Sequence, residues 1–201
     1  MEWSLFLSSF SRRSKLIKGA LVAIGPDSRE LISDKNSIFV FQYNPESLNR
    51  EITYPEYADK IPVVEKAKKK LERPIETFHL TLELDATDQL EKHEQNPHTE
   101  EHGLLPSLAV LESMLFPSKE PTVIIFQWGP KRTIPVRLTR YKIMEEAFDQ
   151  SLNPIRVKID LSMQLLDSSD FKTGSVGHEI YKQYQTQKEA LALLYRKNLP
   201  E

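Results

Sequence analysis

Two long runs in which apolar and polar residues strictly alternate limit what this chain can fold into. In "ETFHLTLELD" every second residue from Phe78 to Leu84 is apolar, and the residues between them are polar or charged. The eleven residues "IRVKIDLSMQL" alternate in the same way. A period of two predicts half-buried β-strands, with one face on a core and the other on water or a partner. The second run exceeds the usual strand length of about 5–6 residues.

Shorter segments predict further strands. "PTVIIFQW" is continuously apolar, which is typical of a strand buried on both faces, and the Gly129-Pro130 pair ends it with a turn. "RTIPVRLTRYKIMEEAF" alternates but changes phase, so we expect a β-bulge near Arg140. "KLIKGALVAIG" and "SIFVFQY" bring the total to about six strands.

Helical periodicity appears in two places. "LLPSLAVLESMLF" predicts a helix that ends before Pro117. "HEIYKQYQTQKEALALLYRKN" predicts a C-terminal helix with an imperfect apolar stripe of Ile180, Tyr184, Leu191 and Leu194. "KIPVVEKAKKKLERP" and "EKHEQNPHTEEHG" are polar linkers. We therefore expect a mainly β fold, an antiparallel β barrel or sandwich with one internal helix and a C-terminal helix.

Composition excludes several classes of function. The chain has no cysteine, so disulfides, Cys-ligated zinc, iron–sulfur clusters and thiol nucleophiles are excluded. A formal net charge of -2 gives no global attraction to nucleic acid or membranes. No segment approaches the roughly 20 apolar residues of a membrane span. In "MEWSLFLSSFSRR" the basic pair follows the apolar run, unlike in a secretory signal, so we interpret it as a short arm whose aromatics dock on a partner or on the chain's own domain.

Candidate reactive residues lack the patterns that chemistry requires. His93, His98 and His102 lie among acidic residues, but their spacing matches no metal-ligand motif, and Pro and Gly nearby favour a solvated loop. Asp85 and Asp88 form a carboxylate pair that no candidate His, Ser or Gly-rich elbow accompanies. The six glycines form no phosphate-binding loop. We predict no enzyme activity, no cofactor and no metal.

Charge is distributed unevenly along the chain. Residues 59–73 hold six Lys or Arg and three Asp or Glu, whereas residues 83–101 hold seven Asp or Glu and one Lys. No aromatic residue lies among the lysines to stack on bases. Patches of opposite charge suit a heterologous contact between identical subunits. The alternatives are a solvated loop and a site for nucleic acid or an effector.

Several segments occur in an order that resembles a known family. They are "FQYNPESLNR", "PIETFHLTLELDATD", "GLLPSLAVLESML" and "IIFQWGPKRTIPVRLTRYKIMEEAFDQSLNPIRVKIDLSMQLL". Together they resemble the tube-type domain of baseplate adaptor proteins of contractile injection systems, which are phage-tail-like particles related to type VI secretion. The resemblance covers roughly residues 15–167. It implies a structural protein whose domain is a small β barrel or sandwich, and a homo-hexameric ring that joins the inner tube to the spike at the baseplate.

The resemblance also implies a domain organisation and a set of partners. We expect an N-terminal arm at 1–14, the tube-like β domain at 15–167, and a linker with a C-terminal helix at 168–201. Many relatives carry a C-terminal LysM domain directed toward the sheath. The 34 residues after Asp167 do not fit one, so that contact is absent or falls to the helix. Expected partners are inner tube proteins, a VgrG-like spike, other baseplate proteins and possibly sheath, with no nucleic acid and no membrane insertion.

Two alternatives to the baseplate ring remain open. The chain is a cap or terminator at the distal end of the tube, or a binding module for an effector or nucleic acid. Assembly is expected in the cytoplasm, in a particle that is free, released, or anchored to a membrane.

One segment joins an aromatic-rich strand end to a stiff Asn-Pro turn without reactive side chains. Proline fixes φ and disfavours helix before it, so "FQYNPESLNR" predicts a rigid shape suited to assembly. The predicted contact residues are Phe41, Tyr43, Asn44, Pro45, Lys66, Lys68, Lys69, Lys70, Trp128, Asn153 and Pro154.

Overall fold

The computed structural model describes residues 17–25, 27, 38–54, 73–92, 94, 96–115 and 123–197. The expectations for the N-terminal arm, Lys66 to Lys70, His93 and Pro117 lie outside these residues. The described strands are β1 (Ala20–Ile24), β2 (Ile38–Val40), β3 (Asn49–Thr53), β4 (Ile75–Asp85), β5 (Val123–Gln127), β6 (Thr133–Phe148) and β7 (Pro154–Leu165). The helices are α1 (Thr87–Leu90), α2 (Pro97–His102), α3 (Leu105–Leu115) and α4 (Val176–Lys197), with a 3-10 turn at Ser168–Asp170.

The strands form one antiparallel sheet in the order β2-β1-β5-β6-β7-β4-β3. This confirms the mainly β, antiparallel prediction. The backbone ladder does not close into a barrel within the described residues, because β2 and β3 stand at the two ends of the order. β3 was not predicted. All five of its residues, "NREIT", are exposed, so the segment lacks the alternation that marks a half-buried strand.

The main core lies on one face of the sheet. The alternating residues of β4 and β7 that were predicted to face inward do so, and Phe78 is 2% exposed. The ring of Phe126 lies 6.5 Å from that of Phe41 and 6.2 Å from that of Phe78, which joins distant strands around one centre. The predicted internal helix, α3, packs on this core through Leu108 and other residues.

A second apolar cluster lies on the opposite face of β1 and β5. All five residues of β5 are buried, which confirms that "PTVIIFQW" holds a strand covered on both sides. The covering element is the start of α4, where Val176 and Ile180 pack against Val22 and Ile125. The side chain of Ser175 accepts a hydrogen bond from the N–H of His178 and caps this helix.

A β-bulge in β6 confirms the predicted change of phase. Leu138 pairs with Met163 and Arg140 with Ser162, so Thr139 is an extra residue. The Thr139 hydroxyl donates to the Ser162 carbonyl at 3.1 Å. As a result, the inward-facing side chains alternate in one phase before the bulge and in the opposite phase after it.

The stretch predicted as a polar linker contains the helix α2. Asn96-Pro97 was interpreted as a loop signal, and this was wrong. Proline is well suited to the first helical turn, where its missing N–H has no helical partner. Gly103, with φ of 56°, ends the helix.

Candidate assembly surfaces

The face of β4, β6 and β7 that points away from the core carries many charged side chains. Arg156 donates to Asp85 at 2.9 Å, and Lys158 lies 3.1 Å from Glu146 and 4.0 Å from Glu83. Two hydrogen bonds from Thr87, together with Arg156, lower the pKa of the Asp85 carboxyl. These charges neutralise each other across strands. The face therefore suits contact with water or a polar partner.

A histidine occupies the same face near β3. His79 Nδ1 lies 2.9 Å from the Ser162 hydroxyl, and its Nε2 lies 3.8 Å from Glu51. The three side chains follow the order of a Ser-His-acid triad. The backbone on both sides belongs to the sheet ladder, since His79 pairs with Ser162 and with Asn49. N–H groups used in a ladder cannot form an oxyanion hole, so the strand backbone beside the cluster does not supply one.

Residues 41–48, which we call the seam segment, bridge two distant parts of the sheet. The Gln42 side-chain amide donates to the Asp85 carbonyl at 2.6 Å and accepts from the Asp85 N–H at 3.0 Å. The Asn44 amide donates to the Ile17 carbonyl and accepts from the Gly19 N–H, both at 2.9 Å. Each amide thus makes the two hydrogen bonds that a neighbouring strand would make. The Gln42 amide thus links the chain after β2 to the end of β4, whereas the Asn44 amide bonds to residues just before β1, the strand with which β2 already pairs.

The seam segment also borders a polar pocket. Tyr43, Asn44 and Pro45 line it together with Thr81 and Glu83 of β4, and its volume is about 200 Å³. Tyr43 is 45% exposed. This segment therefore presents an aromatic ring beside acidic groups at the end of the charged face.

The tip of the β6–β7 hairpin is held rigidly and presents an apolar side chain. The Asp149 carboxylate accepts from the N–H groups of Ser151 and Asn153 and from the Asn153 side chain, each at 2.8 Å. These bonds lower the pKa of Asp149. Leu152 stands at φ of 64° and is 77% exposed. A left-handed, exposed leucine is strained and poorly solvated, which is typical of a contact point.

Besides the outer edge of β2 and the part of β4 beyond His79, two strand edges lack a neighbouring strand in the described part of the chain. One is the outer edge of β3, which ends the sheet. The other lies on β6, since β5 pairs with it only from Thr133 to Val136. From residue 137 to 148 the side of β6 that faces away from β7 has no strand beside it among the described residues. Exposed edges of this kind pair readily with another chain.

A comparison with protein-family models matched residues 15–173 to the contractile injection system tube protein family. The chain belongs to this family. A search of curated proteins found no match. Membership establishes a structural component of a phage-tail-like particle. The match begins where the predicted β domain begins and stops just before α4.

Most of α4 lies after the residues that match the tube family. A buried carboxylate anchors this helix to the sheet. Glu76 of β4 accepts from Arg50 at 2.6 Å, from the Tyr184 hydroxyl at 3.0 Å and from Lys188 at 3.2 Å. Burial alone would raise the pKa of Glu76, but Arg50 and Lys188 lower it overall. Burial and the Glu76 carboxylate raise the pKa of Tyr184 to about 12. The network fixes α4 to the edge of the sheet. In the alternation of β4, Glu76 falls on the side of the apolar residues. This position is the feature of the sequence that could have predicted its burial.

The predicted contact residues do not lie together on one surface. Phe41 is 1% exposed and belongs to the core, whereas Tyr43 and Asn44 lie on the surface and Pro45 is half-buried. Trp128 is partly buried, with its ring 5.7 Å from that of Phe126.

At the hairpin, Asn153 connects the tip to α2 by donating to the Glu101 carbonyl at 3.0 Å. Pro154 is buried beside it. Gln42 and Leu152 were missed, because an amide or a single leucine carries no signal until the fold gives it a partner or exposes it.

The metal and membrane hypotheses gain no support from the described residues. In that part of the chain no group of three or more His, Asp or Glu side chains is placed to hold a metal ion. Asp85 is bonded to Arg156 and Thr87 instead. Nor does any described helix combine the length and apolarity needed to cross a bilayer.

Proposed function

We propose that this tube-family protein forms a homo-hexameric ring at the baseplate of a contractile injection system and joins the inner tube to the spike. The observation that carries the proposal is that unpaired strand edges lie at different places on the sheet, among them β3 and the outer half of β6. Two different edges on one protomer suit a heterologous contact that repeats until a ring closes. Strand addition supplies main-chain hydrogen bonds at each contact.

The charged face supports the same arrangement. Alternation buries one side of β4 and β7 within the protomer and leaves the other side charged. In a ring of such sheets the charged side lines a water-filled channel or meets a polar neighbour. Its ion pairs, such as Asp85 with Arg156, keep the surface hydrated and close to neutral.

The uneven charge supports contacts along the ring axis. The basic stretch ends at Arg73, immediately before β4, and the acidic stretch begins at Glu83, near its end. Eleven residues of strand separate these ends by roughly 35 Å. Acidic residues at the far end of β4 can attract a basic surface on an adjoining ring of tube proteins or on the spike.

Electron microscopy of particles that copurify with a tagged chain from its native host tests this role. Label at the spike end of sheathed rods is the expected result. Label at the other end would favour the cap or terminator, for which the same edges would serve. A monomer without rods, in cells that make particles, would contradict both roles.

A DNA-mobility assay at low salt tests the remaining alternative. Nucleic-acid binding that weakens steeply with salt would favour a binding module. We expect no mobility shift, because no aromatic residue lies among the lysines of residues 59–73 to stack on bases.

A further inference from the structure

The edge of β4 that faces the seam segment is covered only at its two ends. β3 pairs with this edge as far as His79, and the Gln42 side-chain amide bonds to the N–H and the carbonyl of Asp85. Backbone groups of alternate residues in a strand point to the same side. The N–H and carbonyl groups of Thr81 and Glu83 therefore point toward the seam segment, and no described residue bonds to them there. These four groups form an opening in an edge that is otherwise bonded.

The polar pocket beside the seam segment lies at this opening. Thr81 and Glu83 line it from β4, and residues 43–47 line it from the seam segment. At the next position along the edge, Gln42 already pairs an amide with the backbone of Asp85. A short length of extended polypeptide would bond to the free groups in the same way, as strand addition does elsewhere.

The surroundings of the pocket favour a positively charged occupant. An adjoining hollow shares Tyr43 and Glu83 with the pocket, and Tyr43 is 45% exposed. Across the two, four carboxylates outnumber two cationic side chains: Glu46, Glu83, Asp85 and Glu146 against Arg156 and Lys158. An exposed aromatic ring beside an excess of carboxylates suits an arginine, which stacks on the ring and pairs with the acids.

A basic stretch of the same chain begins within reach of the pocket. The described chain starts at Ile17, whose carbonyl accepts from the Asn44 amide at 2.9 Å, and Asn44 lines the pocket. Residues 11–15, "SRRSK", hold three basic residues and no acidic one, and we call them the basic segment. An extended chain spans about 3.3 Å per residue, so Arg13 can lie up to about 13 Å from Ile17. The basic segment can therefore enter the pocket of its own protomer without crossing the sheet.

We propose that the basic segment occupies this pocket and pairs with Thr81 and Glu83 as a short added strand. One of its arginines lies against Tyr43 and pairs with the Glu46 and Glu83 carboxylates. The contact belongs to a single protomer, so it does not depend on the proposed ring. It covers the open part of β4 with the protein's own chain and leaves the edges of β3 and β6 for other partners.

Amide hydrogen exchange, followed residue by residue by NMR on the whole chain, tests this pairing. The Thr81 and Glu83 N–H groups should exchange slowly, and at the same rate over a dilution series. A neutralised variant, with Arg12→Gln, Arg13→Gln and Lys15→Gln, should exchange roughly tenfold or more faster at both positions. The Leu82 N–H should not change, because Leu82 faces β7 and pairs with Ile159.

The matched control removes the same charge from exposed side chains elsewhere. It combines Lys92→Gln, Lys131→Gln and Lys142→Gln. Exchange at Thr81 and Glu83 should then match the wild type. Equal rates in the wild type and the neutralised variant would overturn the proposal. Protection that appears only as the protein concentration rises would assign the cover to a second copy, and would also overturn it.

A double-mutant cycle tests whether the basic segment reaches the pocket itself. In the wild type, Glu83→Gln should speed exchange of the Thr81 N–H several-fold, because it removes a carboxylate that the segment contacts. In the neutralised variant the same substitution should have little effect, because the partner charges are already gone. Equal effects in the two backgrounds would show that Glu83 and the segment do not interact, and would refute the placement in this pocket.

Discussion

Replacing Glu76 by alanine should destabilise the protomer more than any single change on its charged face. The Glu76 side chain is 8% exposed and receives three hydrogen bonds that join β3, β4 and α4. Removing the carboxylate leaves the Tyr184 hydroxyl buried without its acceptor. It also releases Arg50 and Lys188 from their shared partner.

The magnitude follows from the exposure of each partner. A hydrogen bond to a charged group, here from the buried Tyr184, contributes about 1.5–3 kcal/mol. Arg50 and Lys188 are 42% and 37% exposed, so water replaces much of what they lose, and each pair contributes about 0.2–1 kcal/mol. Removing a buried charge also relieves its desolvation, which offsets part of the loss. The expected change in the free energy of unfolding is about 2–4 kcal/mol.

Thermal unfolding followed by circular dichroism measures this change. In a chain of this size 1 kcal/mol shifts the midpoint by roughly 2–4 °C, so Glu76→Ala should lower it by roughly 5–15 °C. Glu51→Ala is the control, since Glu51 is 69% exposed on the adjacent strand and its loss should change stability by less than about 0.5 kcal/mol. Equal midpoints for the two variants would refute the argument that the buried network holds α4 to the sheet.

Three further predictions concern other parts of the protomer. Burial alone would raise the pKa of Asp167, but the Ser169 N–H and Arg73 lower it to about 2. The ionised Asp167 should therefore contribute its full stabilisation above about pH 4 and lose it as the pH falls toward 2. In Asp167→Asn, the midpoint of urea unfolding should change less across that pH range than in the wild type. Gly103→Ala should cost about 1–3 kcal/mol more than Gly129→Ala in urea unfolding. Both glycines have positive φ, but only at Gly103 would the added Cβ lie 2.5 Å from a backbone oxygen. Equal losses of unfolding free energy in the two variants would contradict this explanation. Gln42→Ala removes two hydrogen bonds to Asp85 and should speed amide exchange in the seam segment roughly tenfold or more, whereas unchanged exchange would show that the bridge is dispensable.

The sequence predicted those parts of the fold in which burial alone decides the pattern. β4 and β7 alternate because one face of each lies on the core, and β5 is continuously apolar because α4 covers its second face. β3 escaped prediction because an exposed edge strand needs no apolar phase. α2 escaped because Asn-Pro starts a helix as readily as it starts a turn.

The candidate surfaces were predicted less completely, for a physical reason. Tyr43 and Asn44 could be chosen from the stiffness of the Asn-Pro turn, and both reach the surface. The role of Gln42 depends on Asp85, 43 residues further along the chain, and no local pattern reports such a partner. Phe41 lies in the core because its neighbours on β2 set the phase that turns it inward.

The bulge in β6 makes the long hairpin curve without disturbing what it buries. Ten residues from Leu138 to Ala147 run beside the eight from Arg156 to Met163, so the longer strand must follow the outside of a bend. Deleting Thr139 would leave Leu138 and Tyr141 directed inward and Arg140 outward, in unbroken alternation. A single deletion can therefore remove one of the two extra residues and reduce the bend while keeping the apolar side intact; the second extra residue lies between Glu145 and Ala147. In the proposed ring, a straighter ribbon would change the angle at which the outer edge of β6 meets a neighbouring copy.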